Sequence, residues 1–278
     1  MSAEERNLRS LTVLRVSGAD AEPFLQGQLT SDIGPVDGRT QLAACTTPQG
    51  RVIAVLRLRR RAEGIYVLLP AALGASLTER LRKFVLRAKV AIDLLDTWSV
   101  TGVDAGTGDC SDSRRRSESG SLVFGYPDGR MAIARAGASG GLDSVAEEAW
   151  QRADIAAGLP QVFSETSGHF VPQMLNLDLL DAVSFTKGCY TGQEIIARTQ
   201  HLGRIKRRTL RYAIRADEAP APLTALNLEA TKVGEVLIGA RVEGGIEILA
   251  VVSLDARDRP LRTATGHTAV PLPLPYAV

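Results

Sequence analysis

Two tight turn sequences, each set between strand-like runs, limit the folds open to this chain more than any other feature. Thr47-Pro48-Gln49-Gly50 separates the runs 41–46 and 51–59, and Pro127-Asp128-Gly129 separates the runs 121–126 and 131–135. Proline and glycine favour turn conformations, and strands joined by such short turns pair antiparallel. The chain therefore predicts two β-hairpins and a sheet that is at least partly antiparallel.

Helical signals alternate with these strands. Residues 20–29 predict a short helix, because Pro23 falls in its first turn, where proline is tolerated. The spacing from Ser76 to Glu79 is that of a capping box and predicts the start of a second helix. Its apolar face would hold Leu77, Leu81, Phe84, Val85 and Ala88.

The remaining elements complete an α+β pattern. Strands are predicted at 11–16 and 65–69, and a third helix from about residue 143 past Trp150. Hairpin, strand, helix and strand in this order are typical of an α+β layer with an antiparallel sheet. After Arg207 the runs 233–238, 246–254 and 263–270 are short and separated by turn signals, which predicts a small all-β barrel or sandwich. The polar, glycine-rich stretch 106–120 predicts a mobile loop.

Bulk composition favours a cytoplasmic protein. The chain has 278 residues, of which 45% are apolar, and a formal net charge of +2. No apolar run approaches the roughly 20 residues that span a bilayer, and the first residues carry no export signal. Cys45, Cys110 and Cys189 are three widely spaced cysteines, which argues against a disulfide framework and for a reducing compartment. Iron–sulfur clusters usually need four thiolates, so this chain is not expected to hold one alone.

Three basic clusters stand out against the small net charge. Such clusters can attract phosphates or polyanions. Because no nucleic-acid motif accompanies them, we interpret them as solvated faces or as strand edges protected against aggregation, and we expect no direct tRNA binding. The cluster 204–208 is the best candidate for an exception, because it directly follows Lys187–Glu194. The three clusters comprise Arg57, Arg59, Arg60 and Arg61; Arg114, Arg115 and Arg116; and Arg204, Lys206, Arg207 and Arg208.

The run from Lys187 to Glu194, with the sequence Lys-Gly-Cys-Tyr-Thr-Gly-Gln-Glu, carries the clearest chemical signal. Cys189 lies two residues from a lysine and just ahead of a predicted helix, and both would stabilise a thiolate. Gly188 and Gly192 permit positive φ and could present the sulfur to solvent. The alternative is that Cys189 is a small buried apolar residue, as many free cysteines are.

This run, with the sequence around it, resembles the YgfZ family of folate-binding proteins, relatives of the glycine-cleavage T-protein. The family signature, Lys-Gly-Cys-[Phe/Tyr]-x-Gly-Gln-Glu, is met at every position. The resemblance includes Gly158-Leu159-Pro160, the opening stretch 24–30 and the tail from Leu261. It implies two interleaved α+β units with antiparallel sheets, plus a C-terminal all-β barrel, around a central folate cavity. The implied boundaries are 1–36 with 98–206 for the first unit, 37–97 for an inserted second unit, and 207–278 for the barrel.

The resemblance also implies a function and a site. The chain would be a folate-binding accessory protein for assembly or maintenance of iron–sulfur clusters in client enzymes, including radical enzymes that thiolate tRNA. Its cofactor would be tetrahydrofolate or another reduced folate. Its partners would be client or assembly proteins, with no membrane and no resident metal. The implied catalytic residues are Cys189 and Lys187, and Trp150 is the implied folate-binding tryptophan. Gln193, Glu194 and Arg198 are predicted to add folate-binding contacts, and the alternative for Gln193 and Glu194 is that they cap the following helix.

Three departures from the family pattern keep alternatives open. Leu11 stands where relatives have a second tryptophan, and Ala156 stands where many have a glutamate. The Asp-Asp pair of the T-protein is absent from Ile53-Ala54-Val55-Leu56, which argues against its aminomethyltransferase activity. A folate-dependent one-carbon transferase and an interaction adaptor with a vestigial pocket are the two alternative functions. For Trp150, packing in the core of an amphipathic helix is the alternative to stacking on a folate ring.

Overall fold

The chain folds into two antiparallel sheets and a closed barrel. A computed structural model describes residues 6–34, 39–104, 121–137, 144–201 and 203–278. The strands are β1 (Arg6–Asn7), β2 (Leu11–Ser17), β3 (Gln41–Thr46), β4 (Val52–Arg61), β5 (Gly64–Pro70), β6 (Ala91–Leu94), β7 (Trp98–Val103), β8 (Leu122–Gly125), β9 (Met131–Ala136), β10 (Arg207–Ile214), β11 (Ala225–Leu228), β12 (Thr231–Val242), β13 (Gly245–Ser253), β14 (Leu261–Thr263) and β15 (Thr268–Leu272). The helices are α1 (Ala21–Gln26), α2 (Ala71–Arg82), α3 (Ser144–Ala156) and α4 (Gln193–His201), with short 3₁₀ turns at Pro172–Leu175 and Leu254–Ala256. The predicted α+β class with antiparallel sheets is confirmed.

The first sheet has five strands in the order β3-β4-β5-β2-β6. The predicted first hairpin is confirmed as β3 and β4, and its turn ends at Gly50, which has φ +70°. β2 pairs antiparallel with both β5 and β6, so it lies inside the sheet. Buried residues of this sheet include Val13 on β2, Leu58 on β4 and Val67 on β5, and they contribute to the core.

Helix α2 begins five residues before the predicted capping box. It starts at Ala71, directly after β5, so Ser76 and Thr78 lie inside the helix. Each hydroxyl donates to a carbonyl of the preceding turn: Ser76 to Leu73 and Thr78 to Gly74, at 3.1 and 2.7 Å. The capping-box prediction is therefore wrong, because the end of β5 sets where the helix starts. The helix also ends at Arg82, so Phe84 is not on its buried face and is 41% exposed.

The second sheet has four strands in the order β1-β7-β9-β8. The predicted second hairpin is confirmed as β8 and β9, and Gly129 in its turn has φ +87°. Val103, Val123, Met131 and Ile133 form a small buried cluster on this sheet.

The C-terminal strands close into a six-stranded barrel in the order β10-β13-β12-β11-β14-β15, which confirms the predicted all-β unit. Strands β12 and β13 stay paired over most of their length, but the register shifts between Val236 and Ile238. This irregularity bends the strand, as closure of a small barrel requires. The barrel interior is filled by apolar side chains such as Tyr212, Ile248 and Ala250.

The chain divides into two compact units, considered through their described residues. The first unit takes its residues from Met1–Cys45, Ala54–Glu147 and Thr186–Thr191, and the second from Thr46–Ile53, Glu148–Phe185 and Gly192–Val278. The chain therefore passes from one unit to the other inside the cysteine run, between Thr191 and Gly192. The three-part division proposed from sequence, with its boundaries after residues 36, 97 and 206, stays a prediction. Among the described helices, none is both long enough and apolar enough to cross a membrane.

Candidate functional site

Lys187 inserts its side chain into a loop of the first unit. Its ammonium nitrogen donates to the carbonyl oxygens of Leu29 and Ser31 at 2.9 and 2.8 Å. The Gln26 side-chain oxygen lies at 3.4 Å from the same nitrogen. We call the loop from Gln26 to Asp32 the lysine clamp. Because its oxygens converge on one cation, the clamp fixes the base of the cysteine run to the segment that follows α1.

Side chains within and near the clamp hold its shape. Gln26 accepts a hydrogen bond from the Ile33 amide at 3.0 Å and donates one to the Asp32 carboxylate at 2.7 Å. Gln41 donates to the Asp32 carbonyl at 2.5 Å. These bonds tie the end of α1 to the residues after the loop. The loop is therefore held in a conformation in which the Leu29 and Ser31 carbonyls accept hydrogen bonds from Lys187.

The clamp shifts two pKa values in the same direction for different reasons. Burial lowers the pKa of Lys187 from 10.5 to about 8, and the negative charge of Asp32 opposes that shift. Hydrogen bonds from the Gln26 side chain and the Gly34 amide lower the pKa of Asp32, and the charge of Lys187 contributes to the same effect. Near neutral pH the clamp therefore holds an ammonium group whose proton is more easily lost than that of an ordinary lysine.

Tyr190 covers the lysine. Its ring centroid lies 5.1 Å from the Lys187 nitrogen, and the residue is 6% exposed. Burial raises the pKa of Tyr190 to about 12, so the phenol stays neutral. Within the described residues, neither the Tyr190 hydroxyl nor the buried Ser31 hydroxyl has a hydrogen-bond partner. The lysine therefore sits among carbonyls and neutral polar groups, with one carboxylate nearby.

Cys189 is exposed, whereas Lys187 is half-buried and Tyr190 is buried. Cys189 is an exposed free thiol, whereas Cys45 on β3 is 1% exposed. Cys110 lies outside the described residues. Of the two alternatives for Cys189, the structure supports a presented sulfur and excludes a buried apolar role. Its activation by Lys187 stays a prediction.

The two motif glycines have different roles. Gly192 has φ +84°, and a β-carbon there would lie 2.5 Å from the Thr47 carbonyl and 2.8 Å from the Thr46 hydroxyl. Gly188 does not have positive φ, and a β-carbon there would meet no atom within 4 Å. The prediction of positive φ is therefore confirmed for Gly192 and wrong for Gly188. Gly192 lets the chain approach the β3–β4 turn closely just before α4 begins.

The six predicted site residues fall in both units. Lys187 and Cys189 belong to the first, and the four predicted folate-binding residues belong to the second. Trp150 lies on α3 and is 7% exposed, so core packing accounts for its position and stacking on a folate stays a prediction. On α4, Gln193 is half-buried, while Glu194 and Arg198 are exposed.

The clamp residues were not identified from sequence. Gln26 lies in a stretch interpreted only as an opening helix, and Ser31 and Asp32 follow that stretch without belonging to a motif. Two of the oxygens that contact Lys187 belong to backbone carbonyls, which every residue type carries. No residue pattern could have identified those two groups.

A glycine of the Gly158-Leu159-Pro160 motif supports the second unit. Gly158 has φ +66°, and a β-carbon there would lie 2.8 Å from side-chain atoms of both Leu274 and Tyr276. The Tyr276 hydroxyl donates to the Gly158 carbonyl at 2.6 Å. The glycine is needed because the C-terminal segment packs directly on the backbone at the end of α3.

Comparison with known proteins gives consistent relatives in sequence and in fold. The chain is 32% identical to the tRNA-modifying protein YgfZ of Edwardsiella ictaluri, over 95% of this chain and 89% of that protein. It is 30% identical to the tRNA-modifying protein YgfZ of Serratia proteamaculans, over 98% and 92%. No protein-family model matches. Among solved structures, aminomethyltransferase T of the glycine cleavage system from Bartonella henselae aligns with a TM-score of 0.75 and 14% identity, over 98% of this chain and 85% of that one.

Proposed function

Because the chain belongs to the YgfZ family of tRNA-modifying proteins, we propose that it is a folate-binding accessory protein for iron–sulfur enzymes. In this role it helps to assemble or maintain clusters in client enzymes, among them radical enzymes that thiolate tRNA. The clients and assembly factors are its protein partners, and the cytoplasm is the compartment where it meets them.

This proposal rests on one observation: Cys189 is exposed, and Lys187 anchors the run that contains it. A thiolate is both a nucleophile and a soft metal ligand. One thiolate cannot supply all the ligands of an iron–sulfur cluster, but it can ligate the cluster together with thiolates of a partner protein. An exposed sulfur on a fixed base suits such a shared task, because the partner must reach it.

Lys187 positions the run and sets the charge at its base. Its bonds to the clamp hold the residue two positions before the sulfur, while the Cys189 side chain stays in solvent. Lys187 is therefore proposed as the charge partner and the anchor of the reactive sulfur.

The predicted folate-binding residues of the second unit carry the chemical groups that a reduced folate can bind. A pterin or aminobenzoate ring can stack on an indole, a half-buried amide can donate and accept, and a glutamate tail can pair with a guanidinium. Trp150, Gln193 and Arg198 supply these groups. The carboxylate that many relatives carry is replaced by Ala156, which is exposed at the end of α3. We therefore propose that folate binds with fewer polar contacts than in relatives that keep the glutamate.

The one-carbon transferase alternative lacks its acid–base group. Residues 53–56 of β4 carry no carboxylate, and three of them, Ala54, Val55 and Leu56, are fully or almost fully buried. No proton acceptor is therefore available at the place where the T-protein has its Asp pair. This supports the accessory role over aminomethyl transfer.

Complementation tests the proposal. Deletion of the gene should lower the activity of iron–sulfur enzymes and the level of methylthiolated tRNA in its host. A wild-type copy should restore both, and a Cys189→Ala copy should restore neither. Cys45→Ala is the matched control, because it removes a sulfur that is buried and should leave function intact.

Thermal melts separate lost function from misfolding. Cys189 is exposed, so its replacement by alanine should leave the melting temperature nearly unchanged. Full rescue by a folded Cys189→Ala protein would refute the sulfur mechanism. Calorimetric titration with tetrahydrofolate and its formyl and methylene forms tests the ligand separately, and the absence of heat with all three would favour the adaptor alternative.

A further inference from the structure

The chain between α2 and β6 forms a turn that the helical pattern did not predict. The pattern extended the buried face of α2 as far as Ala88, but the helix ends at Arg82. Residues 83–89 therefore lie outside the helix, and two of their apolar side chains are exposed. Leu86 is 88% exposed and Phe84 is 41% exposed. We call residues 83–89 the basic turn, because lysine and arginine side chains accompany these apolar ones.

The basic turn has a fixed backbone that presents Leu86 to solvent. The Ala88 amide donates to the Val85 carbonyl at 2.8 Å, and the Lys89 amide donates to the Asp20 carboxylate at 2.7 Å. Leu86 lies inside this turn with φ +45°, in the left-handed region that favours glycine. A leucine there adds backbone strain and leaves an apolar side chain in water, and neither stabilises the free protein. Burial of the leucine by a partner would offset that cost.

The charge on the turn is positive and is not neutralised by the residues that the structure describes. Lys83, Arg87 and Lys89 are exposed, and in the described ranges their charged groups form no ion pair and no hydrogen bond. Arg82, at the end of α2, donates to the Ile92 carbonyl at 2.6 Å and has no carboxylate partner in those ranges. Four adjacent cations of this kind attract an anionic surface.

The arginines of β4 do not offer such a surface. The sequence interpretation as a solvated face or strand edge is wrong for Arg57 and Arg59, because β4 lies between β3 and β5. These two residues are 4% and 9% exposed. Arg60 on the same strand forms a salt bridge with Glu22 at 2.9 Å. The basic turn differs from β4 because its cations and its apolar side chains are exposed together.

We propose that the basic turn is a docking surface for an anionic lipid bilayer. A bilayer accepts a protruding leucine or phenylalanine below its headgroups, while lysine and arginine side chains reach the lipid phosphates. Each cation near an anionic membrane adds to the attraction, so this contact requires no complementary pocket. The contact is peripheral, because it involves a single turn. It departs from the absence of a membrane partner that the family resemblance implies.

The residue types of the turn favour a bilayer over other partners. Protein interfaces are depleted in lysine, and leucine is rare among the residues that dominate their affinity. An RNA backbone attracts cations but gains nothing from an exposed leucine. A second copy of the chain would bring the same positive charges together, which is unfavourable.

Sedimentation with lipid vesicles tests the charges of the turn. At about 0.1 M salt, wild type should bind vesicles of phosphatidylcholine and phosphatidylglycerol at roughly three to one, and bind pure phosphatidylcholine at least about tenfold more weakly. The double variant Lys83→Gln, Arg87→Gln should bind the mixed vesicles at least about tenfold more weakly than wild type. The matched control is Arg204→Gln with Lys206→Gln, which removes the same two charges from exposed positions of the second unit and should not change the affinity.

A glycine variant separates the leucine side chain from the fold of the turn. Leu86→Gly removes the apolar side chain and places glycine at a φ that it adopts freely, so the melting temperature should not fall. Binding to the mixed vesicles should nevertheless weaken at least about tenfold. Val270→Ser is the matched control, because Val270 is 48% exposed on β15 in the second unit and its replacement should leave binding unchanged.

The proposal is overturned if wild type does not bind the mixed vesicles, or if the double variant or Leu86→Gly binds them as wild type does. Equal losses of affinity in the control variants would also overturn it, and so would Leu86-dependent binding of RNA or of a protein without binding of vesicles. Cys189→Ala should bind vesicles as wild type does. Failure of this proposal is therefore distinguishable from failure of the iron–sulfur role.

Discussion

At the scale of single residues, the chemistry of this chain depends on how two side chains of one short run are placed. Lys187 is drawn into the clamp, and Cys189, two positions later, stays in solvent. A strictly extended run would have put both on one face. The actual arrangement gives each group a separate environment, so their properties can be tested separately.

Cys189 should be the first of the described cysteines to react with iodoacetamide at about neutral pH. Cys45 is buried on β3, so its alkylation requires local opening and should be at least about tenfold slower. Peptide mass spectrometry over a time course measures both rates. Lys187→Ala should slow alkylation of Cys189, because it removes the positive charge and the anchor at the base of the run. Reaction of Cys45 first, or no effect of Lys187→Ala, would refute the activated thiol.

The lowered pKa of Lys187 predicts a distinctive pH dependence of stability. Its pKa is about 8 in the folded protein against an ordinary 10.5. Between these values the unfolded state binds more protons, so the free energy of unfolding rises with pH in this window because of Lys187. Lys187→Met lacks this contribution. The stability of wild type relative to Lys187→Met should therefore increase from pH 8 to pH 10, measured by urea unfolding. A difference that does not change with pH would contradict the burial of the ammonium.

At the scale of elements, the turn at Gly192 sets where α4 begins within the run from Lys187 to Glu194. Gly192 combines positive φ with close contact to the β3–β4 turn, and Gly50 in that turn also has positive φ. A β-carbon at Gly50 would lie 3.2 Å from Ile195. Two glycines thus allow the hairpin turn and the start of α4 to pack backbone against backbone.

The two motif glycines should tolerate substitution very differently. Gly192→Ala places a β-carbon 2.5 Å from the Thr47 carbonyl in a left-handed conformation, and should cost about 2 kcal/mol or more. Gly188→Ala meets open space and should change the free energy of unfolding by less than about 0.5 kcal/mol. Chemical unfolding of both variants measures this difference. Equal costs would show that the close packing of the turn is not what requires glycine at 192.

At the scale of the whole molecule, a buried ion pair joins the barrel to the segment before the cysteine run. Arg208 on β10 makes two hydrogen bonds to Asp178, at 2.8 and 2.9 Å, and a third to the Gln173 carbonyl at 3.1 Å. Asn176 donates to the carbonyl of Thr209 at 2.8 Å. Within the second unit, the barrel and residues 172–178 are therefore joined by buried polar contacts.

Loss of one partner of this pair should be costly. Asp178→Asn leaves the Arg208 guanidinium, 9% exposed, without its carboxylate and should cost about 3 kcal/mol. Arg211 and Glu247 provide the control, because they form a salt bridge between β10 and β13 and are about twice as exposed or more. Glu247→Gln should cost no more than about 1 kcal/mol. Similar free energies of unfolding for the two variants, measured in urea, would show that the buried pair does not stabilise the second unit.

The sequence by itself determined the class of fold and the reactive run. Turn residues and period-two alternation identified both hairpins and strands β12 and β13 of the barrel, because these signals depend on neighbours a few residues apart. They missed β10 and β11, and the predicted run 263–270 spans the turn between β14 and β15. The motif identified Cys189 and Lys187 because a thiol beside an ammonium is a local combination. The sequence failed at the start of α2, where the preceding strand fixes the helix and the Ser76 capping pattern is not used.

The tertiary structure decided the environment of each charged group. Backbone carbonyls of Leu29 and Ser31 enclose Lys187, and they carry no sequence signal. Arg57 and Arg60 are identical in type and three positions apart, yet one stacks on Tyr126 without a carboxylate partner in the described residues and the other pairs with Glu22. Burial and long-range pairing depend on which distant strands become neighbours, and that information is spread over the whole chain.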